Sequence, residues 1–266
     1  MMNPKIQLPN VPILIGRQDF VASRCKGKKV LHIGCVDSGL LRERFQSGKL
    51  MHQQLSTVAA ELWGVDVDAE GIAFLRSQGF EHLIVGDVCN LDRIQELQGE
   101  VFDVIVASGV LEHLVNPGLF LTAVKNAMVP GRTELIVTVP NAFRVSTLIQ
   151  LLRGIEYVHP DHNYWFSYAT LTGLLKKTGY EIREVYVYSF ESAQILPRRI
   201  GKFVKRGDSG IAPHVKESRN RSAVWTRMLG YLRSLPRRLL VRALYKRTPF
   251  WADGIIVIAT RPENEA

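Results

Sequence analysis

Apolar residues along this chain fall into short continuous runs separated by longer stretches where apolar and charged positions mix. Val30, Leu31 and Ile33 make the first run, which stops at Gly34. Further runs fill 61–65, 82–85, 102–107 and 134–139. Apolar runs of this length, without alternation, suit strands covered on both faces, as in a parallel sheet. Between the runs the period changes: Leu41, Phe45, Leu55, Val58 and Ala59 recur among polar residues, so 40–60 predicts a helix broken near Gly48. Further helices are predicted over 69–78, from Asn116-Pro117 to Met128, and over 170–178 with Gly179 ending it. Residues 180–189 alternate like a half-exposed strand, and 254–260 read as a last strand. Residues 1–28 predict a leading loop and a short helix over 18–24, with no chemistry in them. Strands alternating with helices imply an α/β fold with helices on both faces of a mostly parallel sheet.

Composition adds three constraints. With 266 residues, 46% hydrophobic and 22% charged, the chain can bury the core of one α/β domain carrying an insertion. Cys25, Cys35 and Cys89 are too few and too scattered for a disulfide framework or a zinc cluster, so a reducing cytosol is expected. No stretch approaches the ~18 apolar residues of a membrane span, and the N-terminal apolar run is too short for a signal-peptide core.

The net charge of +9 is concentrated. Residues 196–250 carry 15 Lys/Arg against Asp208 and Glu217, a local +13 that leaves −4 for the rest. This segment lies in an insertion at about 191–253, between the last two strands, far longer than the ~2–5 residues of an ordinary hairpin. Within it Trp225, Met228, Leu229 and Leu232 share one helical face beside arginines, and 237–246 is helical by composition. Such a combination suits a helix lying on an anionic membrane surface. It equally suits a packing or oligomer element, or a basic surface for RNA.

Candidate chemistry collects at the strand ends. Gly34 and Gly39 bracket a tight turn into a helix start, where backbone N–H groups can approach a ligand. Strand 61–65 ends in Asp66, whose carboxylate can accept both ribose hydroxyls of an adenosine; Asp68 is read as the cap of the next helix. Strand 82–85 ends in Gly86-Asp87, suiting an adenine amino group, with the Val88 N–H available to a ring nitrogen. A turn or a cap is the alternative there. Strand 102–107 ends in Ser108-Gly109, followed by Glu112 and His113. The segment 154–170 holds His159, Asp161, His162, Tyr164, Trp165, Phe166 and Tyr168, the composition of a substrate lid or of an anchor for the following helix. His52 reads as a helix-packing residue.

These landmarks, VLHIGCVDSG, WGVDVD, VGDV, FDVIVASGVLEHL, LIVTVPN and DHNYWFSYATLTGLLKKTGYEI, occur in the order found in class I S-adenosylmethionine-dependent methyltransferases, which the chain resembles from about residue 26 to 188 and again at 254–260. EHL, VPN and the late histidine pattern are most similar to the small-molecule branch of ubiquinone-pathway O-methyltransferases and bacterial cell-surface-glycan methyltransferases. The resemblance implies a Rossmann-like, seven-stranded, mostly parallel sheet with a late antiparallel hairpin. It implies S-adenosylmethionine as cofactor, held by His32, Gly34, Asp37, Gly39, Asp66, Asp87, Val88 and Ser108. The family carries an acid where this chain has His32, and Asp37 is the acid that can replace it at the methionine end. The E-x-x-E-H metal motif of ubiquinone O-methyltransferases and small-RNA 2′-O-methyltransferases has Gly109 in its first position here, so no metal is expected. VPN differs from the D/N-P-P-Y/F/W of base amino-group methylation.

The expected reaction is methyl transfer to a hydroxyl, or an amine, of a small or lipid-linked acceptor such as a glycan precursor or quinone intermediate, with His113 and His162 as candidate bases. The expected location is cytoplasmic, with peripheral attachment to a membrane through 196–250. The alternatives are an RNA methyltransferase gripping phosphates with the basic insertion, and a non-catalytic domain that binds cofactor or a partner.

Overall fold

The structure is a computed structural model that describes residues 5–190, 244–245 and 247–263. The strands are β1 (Ile13–Ile15), β2 (Lys29–Ile33), β3 (Glu61–Asp66), β4 (Leu83–Val85), β5 (Val104–Ser108), β6 (Glu134–Pro140), β7 (Glu181–Ser189) and β8 (Gly254–Thr260). They form one sheet in the order β4-β3-β2-β5-β6-β8-β7-β1, in which only β8 runs against the others. The expected seven strands are therefore eight. Ile13–Ile15, in the leading segment, adds a parallel edge strand beside β7, with Ile13 paired to Val187. Three residues are too short a run to show a strand period.

The helices are α1 (Gln18–Cys25), α2 (Leu41–Gln46), α3 (Met51–Ser56), α4 (Ala69–Ser77), α5 (Pro117–Asn126), α6 (Val145–Leu151) and α7 (Tyr168–Lys177). α2 and α3 are the predicted helix broken at Gly48. α6 is a helix that the sequence pattern does not announce, since only Val145 of its residues is buried. Alternation in the strands sends side chains to opposite faces. Leu31, Ile33, Ile105, Leu135 and Val137 pack with Phe120, Leu121 and Val124 of α5 and Leu171 and Leu175 of α7. Val30, Val104, Val106 and Ile136 pack with Val21 and Cys25 of α1 and Met51 and Leu55 of α3. A third cluster joins Cys35 and Val36 of the glycine turn to Ile72 and Leu75 of α4.

The two edges of the sheet differ in chemistry. The amino edge carries ion pairs: Lys29 with Glu61 and Glu100, Lys28 with Glu134, Arg24 with Glu134 and Glu184, and Arg132 with Asp103. The carboxyl edge carries the glycine turn and the acids. Most of the basic segment, with Trp225, Met228, Leu229 and Leu232, lies outside the described residues. Among the described residues no helix is long and apolar enough to cross a membrane.

α4 fixes the glycine turn by close approach: a Cβ on Gly71 would lie 2.1 Å from Cγ1 of Val36, a fully buried and stiff side chain. Alanine is the better helix former by about 1 kcal/mol. Overpacking against Val36 costs about 1–3 kcal/mol, so Gly71→Ala should lower stability despite its helix propensity. Urea denaturation checks this; a midpoint above wild type would contradict it.

Candidate active site

The turn after β2 is built by backbone conformation and by Asp66. Gly34 has φ +70°, in the left-handed region, and its N–H donates to the Val65 carbonyl at 2.9 Å. A Cβ there would also meet Val110 Cγ2 at 2.7 Å. Asp37 adopts φ +58° and pairs with Arg44, and Gly39 follows at φ +86°. Asp66, 8% exposed, accepts from the Val36 N–H at 2.9 Å on Oδ2 and from the Asp68 N–H at 3.1 Å on Oδ1. Each oxygen keeps a further lone pair. Asp68 caps α4 as expected: it accepts from the Gly71 N–H at 2.9 Å and from Ser38 Oγ at 2.7 Å. The Gly71 N–H, then Ser38, hold its carboxyl below the ordinary range.

Asp87 is exposed and caps a 3-10 turn, Val88–Arg93, by accepting from the Cys89 N–H at 2.9 Å and from Asn90 Nδ2 at 2.7 Å. Val67, directly after the strand-end acid Asp66, is an apolar side chain left 66% exposed.

At the end of β5, Ser108 Oγ and Thr138 Oγ1 are 2.9 Å apart, and the Gly109 N–H donates to the Thr138 carbonyl at 2.9 Å. Two charged groups converge on Gly109. A Cβ there would lie 3.5 Å from Glu112 Oε1 and 3.7 Å from Arg17 Nη1. Arg17 is the site residue missed in the leading segment; it reaches Tyr188 Oη at 3.4 Å and Thr138 Oγ1 at 3.5 Å. Glu112 is 3% exposed, and its Oε2 has no hydrogen-bond partner. Burial pushes its carboxyl up to about 7, against smaller opposing effects of a backbone N–H and Arg17.

His32 is placed differently from its expected cofactor role. It is 2% exposed, and its Nδ1 lies 3.2 Å from Nδ1 of buried His52, the rings nearly parallel at 13°. Burial, then His52 and Arg17, lower the His32 pKa, and burial lowers His52 to about 4. Both rings are therefore neutral at pH 7, one donating Nδ1–H to the lone pair of the other. His52, the second residue of α3, supplies the buried partner of His32.

The loop after α6 brings three histidines together. Asn163 donates from its N–H to the Glu112 carbonyl at 2.7 Å and from Nδ2 to the His113 carbonyl at 2.8 Å. Tyr164 Oη donates to the Val115 carbonyl at 2.9 Å. His162 N–H donates to the His159 carbonyl at 3.0 Å, closing a turn. The His113 and His162 rings meet edge to face at 4.6 Å between centroids, and His159 lies 5.1 Å from His162. Burial, followed by the other two imidazoles, lowers His162 to about 4, and burial lowers His113. The glycine turn packs at Gly34 against Val110, which opens the 3-10 turn Leu111–His113, so the turn after β2 and the segment carrying His113 are neighbours. Of the expected lid residues Phe166 is buried in the core as an anchor, and Trp165 sits partly exposed under Arg144.

The buried groups give opposite pH dependences. Glu112, raised in the fold, binds its proton more tightly than in the unfolded chain, so its contribution falls as pH rises from about 4.5 to 7, by about 3 kcal/mol. His52, lowered in the fold, contributes stability present above about 6.5 that is lost as pH falls towards 4. Glu112→Gln removes only the first effect. Its stability relative to wild type should therefore improve by up to about 3 kcal/mol between pH 4.5 and pH 8, measured by urea unfolding. An offset equal at both pH values would contradict the burial of Glu112.

The comparisons with known proteins agree with this geometry. A family described as a methyltransferase domain matches residues 16–185, more than half of the chain. The ubiquinone biosynthesis O-methyltransferase of Hahella chejuensis is 26% identical over 146 residues, 53% of this chain and 56% of that protein. The mitochondrial ubiquinone biosynthesis O-methyltransferase of Homo sapiens is 26% identical over 170 residues, 60% of this chain and 43% of that protein. The chain thus spans about half the length of these relatives. A solved SAM-dependent methyltransferase from Thermotoga maritima shares the fold, with TM-score 0.51, 15% identity and coverage of 92% of this chain and 88% of that one. The chain belongs to the methyltransferase-domain family.

Proposed function

We propose that the protein moves the methyl group of S-adenosylmethionine to a hydroxyl of a small or lipid-linked acceptor, such as a quinone intermediate or glycan precursor. The observation that supports this reading is the edge-to-face pair of His113 and His162, His113 standing on the turn that packs against Gly34 through Val110. In the reaction an acceptor oxygen attacks the sulfonium methyl. A C–O bond forms as the S–CH3 bond breaks, the sulfonium becomes a neutral thioether, and the hydroxyl proton must leave. Alignment and exclusion of water are the protein's main tasks, and His113 and His162 draw off the proton. Side chains exposed at Phe143, Leu151, Leu152, Ile155 and Tyr157, on α6 and the chain leading to the histidines, support an acceptor with a substantial apolar part. The O-methyltransferase names of the relatives point the same way.

In this reading the spare lone pairs of Asp66 take the ribose hydroxyls, Asp87 and the Val88 N–H take the adenine edge, and Val67 covers the ring. Gly34, Gly39 and Ser108 approach the cofactor by backbone, and Asp37 rather than the buried His32 serves the methionine end. Asp66→Ala should weaken cofactor binding by about 1.5–3 kcal/mol in calorimetry; unchanged affinity would remove Asp66 from the site. His113→Ala and His162→Ala should each lower turnover by about 10²–10⁴-fold at unchanged cofactor affinity. Full turnover in both would mean that alignment alone suffices.

The basic segment 196–250 is proposed to hold the enzyme on an anionic membrane surface. Sedimentation with anionic vesicles should weaken in Trp225→Ser, whereas tight RNA binding indifferent to Trp225 would favour the RNA reading instead.

A further inference from the structure

The acid-based metal motif is incomplete at Gly109, and Glu112 is turned into the protein, yet the fold assembles a different donor set at the mouth of the cleft. His113 comes from the turn after β5, and His159 and His162 come from the loop after α6. Each offers a ring nitrogen, and the three ligand atoms all lie within 4.8 Å of one another. Zinc–imidazole bonds of about 2.0–2.1 Å in a tetrahedral site place nitrogens about 3.4 Å apart. His113 and His159 are exposed and His162 partly so, which leaves their side chains free to make that contraction.

We propose that His113, His159 and His162 form a mononuclear site for a divalent transition cation, zinc in the first instance, with its remaining position open to an acceptor oxygen. Three neutral imidazoles select a borderline cation over calcium or magnesium, which take oxygen donors. Three histidines and one open position are the donor set of a catalytic rather than a structural zinc.

The surroundings fit this use. The hydrogen bonds that pin the loop run from Asn163 and Tyr164 to the backbone carbonyls of Glu112, His113 and Val115, so they consume no imidazole nitrogen. The Asp161 carboxylate lies 3.7 Å from His159 Nδ1, where it can receive Nδ1–H once the opposite nitrogen binds metal. In the unliganded state Nδ1 instead accepts from the Asp161 N–H at 3.3 Å, so loading requires a change of tautomer at His159.

The role of the cation rests on the hydroxyl-acceptor reading and replaces His113 and His162 as free bases: an oxygen bound in the open position loses its proton more readily than in water. Binding itself does not depend on that reading, and the test keeps the two apart. The chelator-treated full chain, without cofactor or acceptor, is titrated with Co2+ at pH 7.5 and followed by its visible absorption. Calorimetry with Zn2+ gives the affinity. One equivalent should bind with the intense bands of a four-coordinate site. His159→Ala, which leaves the His113–His162 pair in place, should lose more than the about 10–100-fold that outer partners of a ligand account for. Absence of binding, or binding that His159→Ala leaves unchanged, would overturn the site and return His113 and His162 to the role of free bases. Cofactor affinity measured on the same chelated sample reports separately on the methyltransferase reading.

Discussion

Everything at the candidate site depends on the pairing of β2 with β3 on one side and β5 on the other, all three parallel. From β2 the chain first builds outward through β3 and β4, then returns to lay β5 and β6 on the opposite side. Connections leaving β2 and β5 diverge at that reversal, which opens a crevice outside the carboxyl ends of the strands. Gly34, Asp66, Asp87 and Gly109 all stand along it because each follows or closes a strand of this parallel set. The buried turn of Cys35 and Val36 gives the crevice a rigid floor, pressed against α4 on one side and hydrogen-bonded to Asp66 on the other.

The acceptor side is set by a different device. β6 is followed by Asn141, 1% exposed, whose Nδ2 donates to the carbonyls of Phe250 at 2.6 Å and Ala252 at 2.9 Å. Its neighbour Ala142 donates to the Phe166 carbonyl at 2.8 Å. The end of β6, the approach to β8 and the histidine loop are therefore tied at one point, and Asn163 makes the second tie, to the Glu112–His113 backbone. The stretch from Asn163 to Phe166, at the C-terminal end of the histidine loop, is thus held by hydrogen bonds to the turn after β5 on one side and to the end of β6 on the other. In the proposed reading, cofactor recognition and acceptor recognition rest on separate parts of the chain that meet at His113.

The strands and their order were legible because buried parallel strands write themselves as continuous apolar runs; β8 was expected at the bounds at which it is found. Caps were legible too: Asp68, Asn116 and the break at Gly48 rest on local chemistry that tertiary structure does not override. The edge strand β1 and the helix α6 were not, since one is three residues long and the other buries a single side chain. At the site, the strand-end acids could be read from position alone. Arg17 could not, because it reaches Gly109 across the sheet from a segment with no motif. His32 shows a second limit: the buried partner that decides its state, His52, is 20 residues away in sequence. The histidine cluster needed the structure, as 46 residues separate His113 from His159.

In the proposed reading one cleft at the carboxyl edge holds the cofactor with its sulfur directed at the histidines. A crystal structure with S-adenosylhomocysteine tests this most directly. The ribose is predicted on Asp66, the adenine between Val67 and Asp87, and the sulfur on the side of His113. The account would be contradicted by a ligand lodged at the amino edge, where Lys28, Asp103, Arg132, Glu134, Arg183 and Glu184 line a depression of about 610 Å³, or by a sulfur turned away from His113.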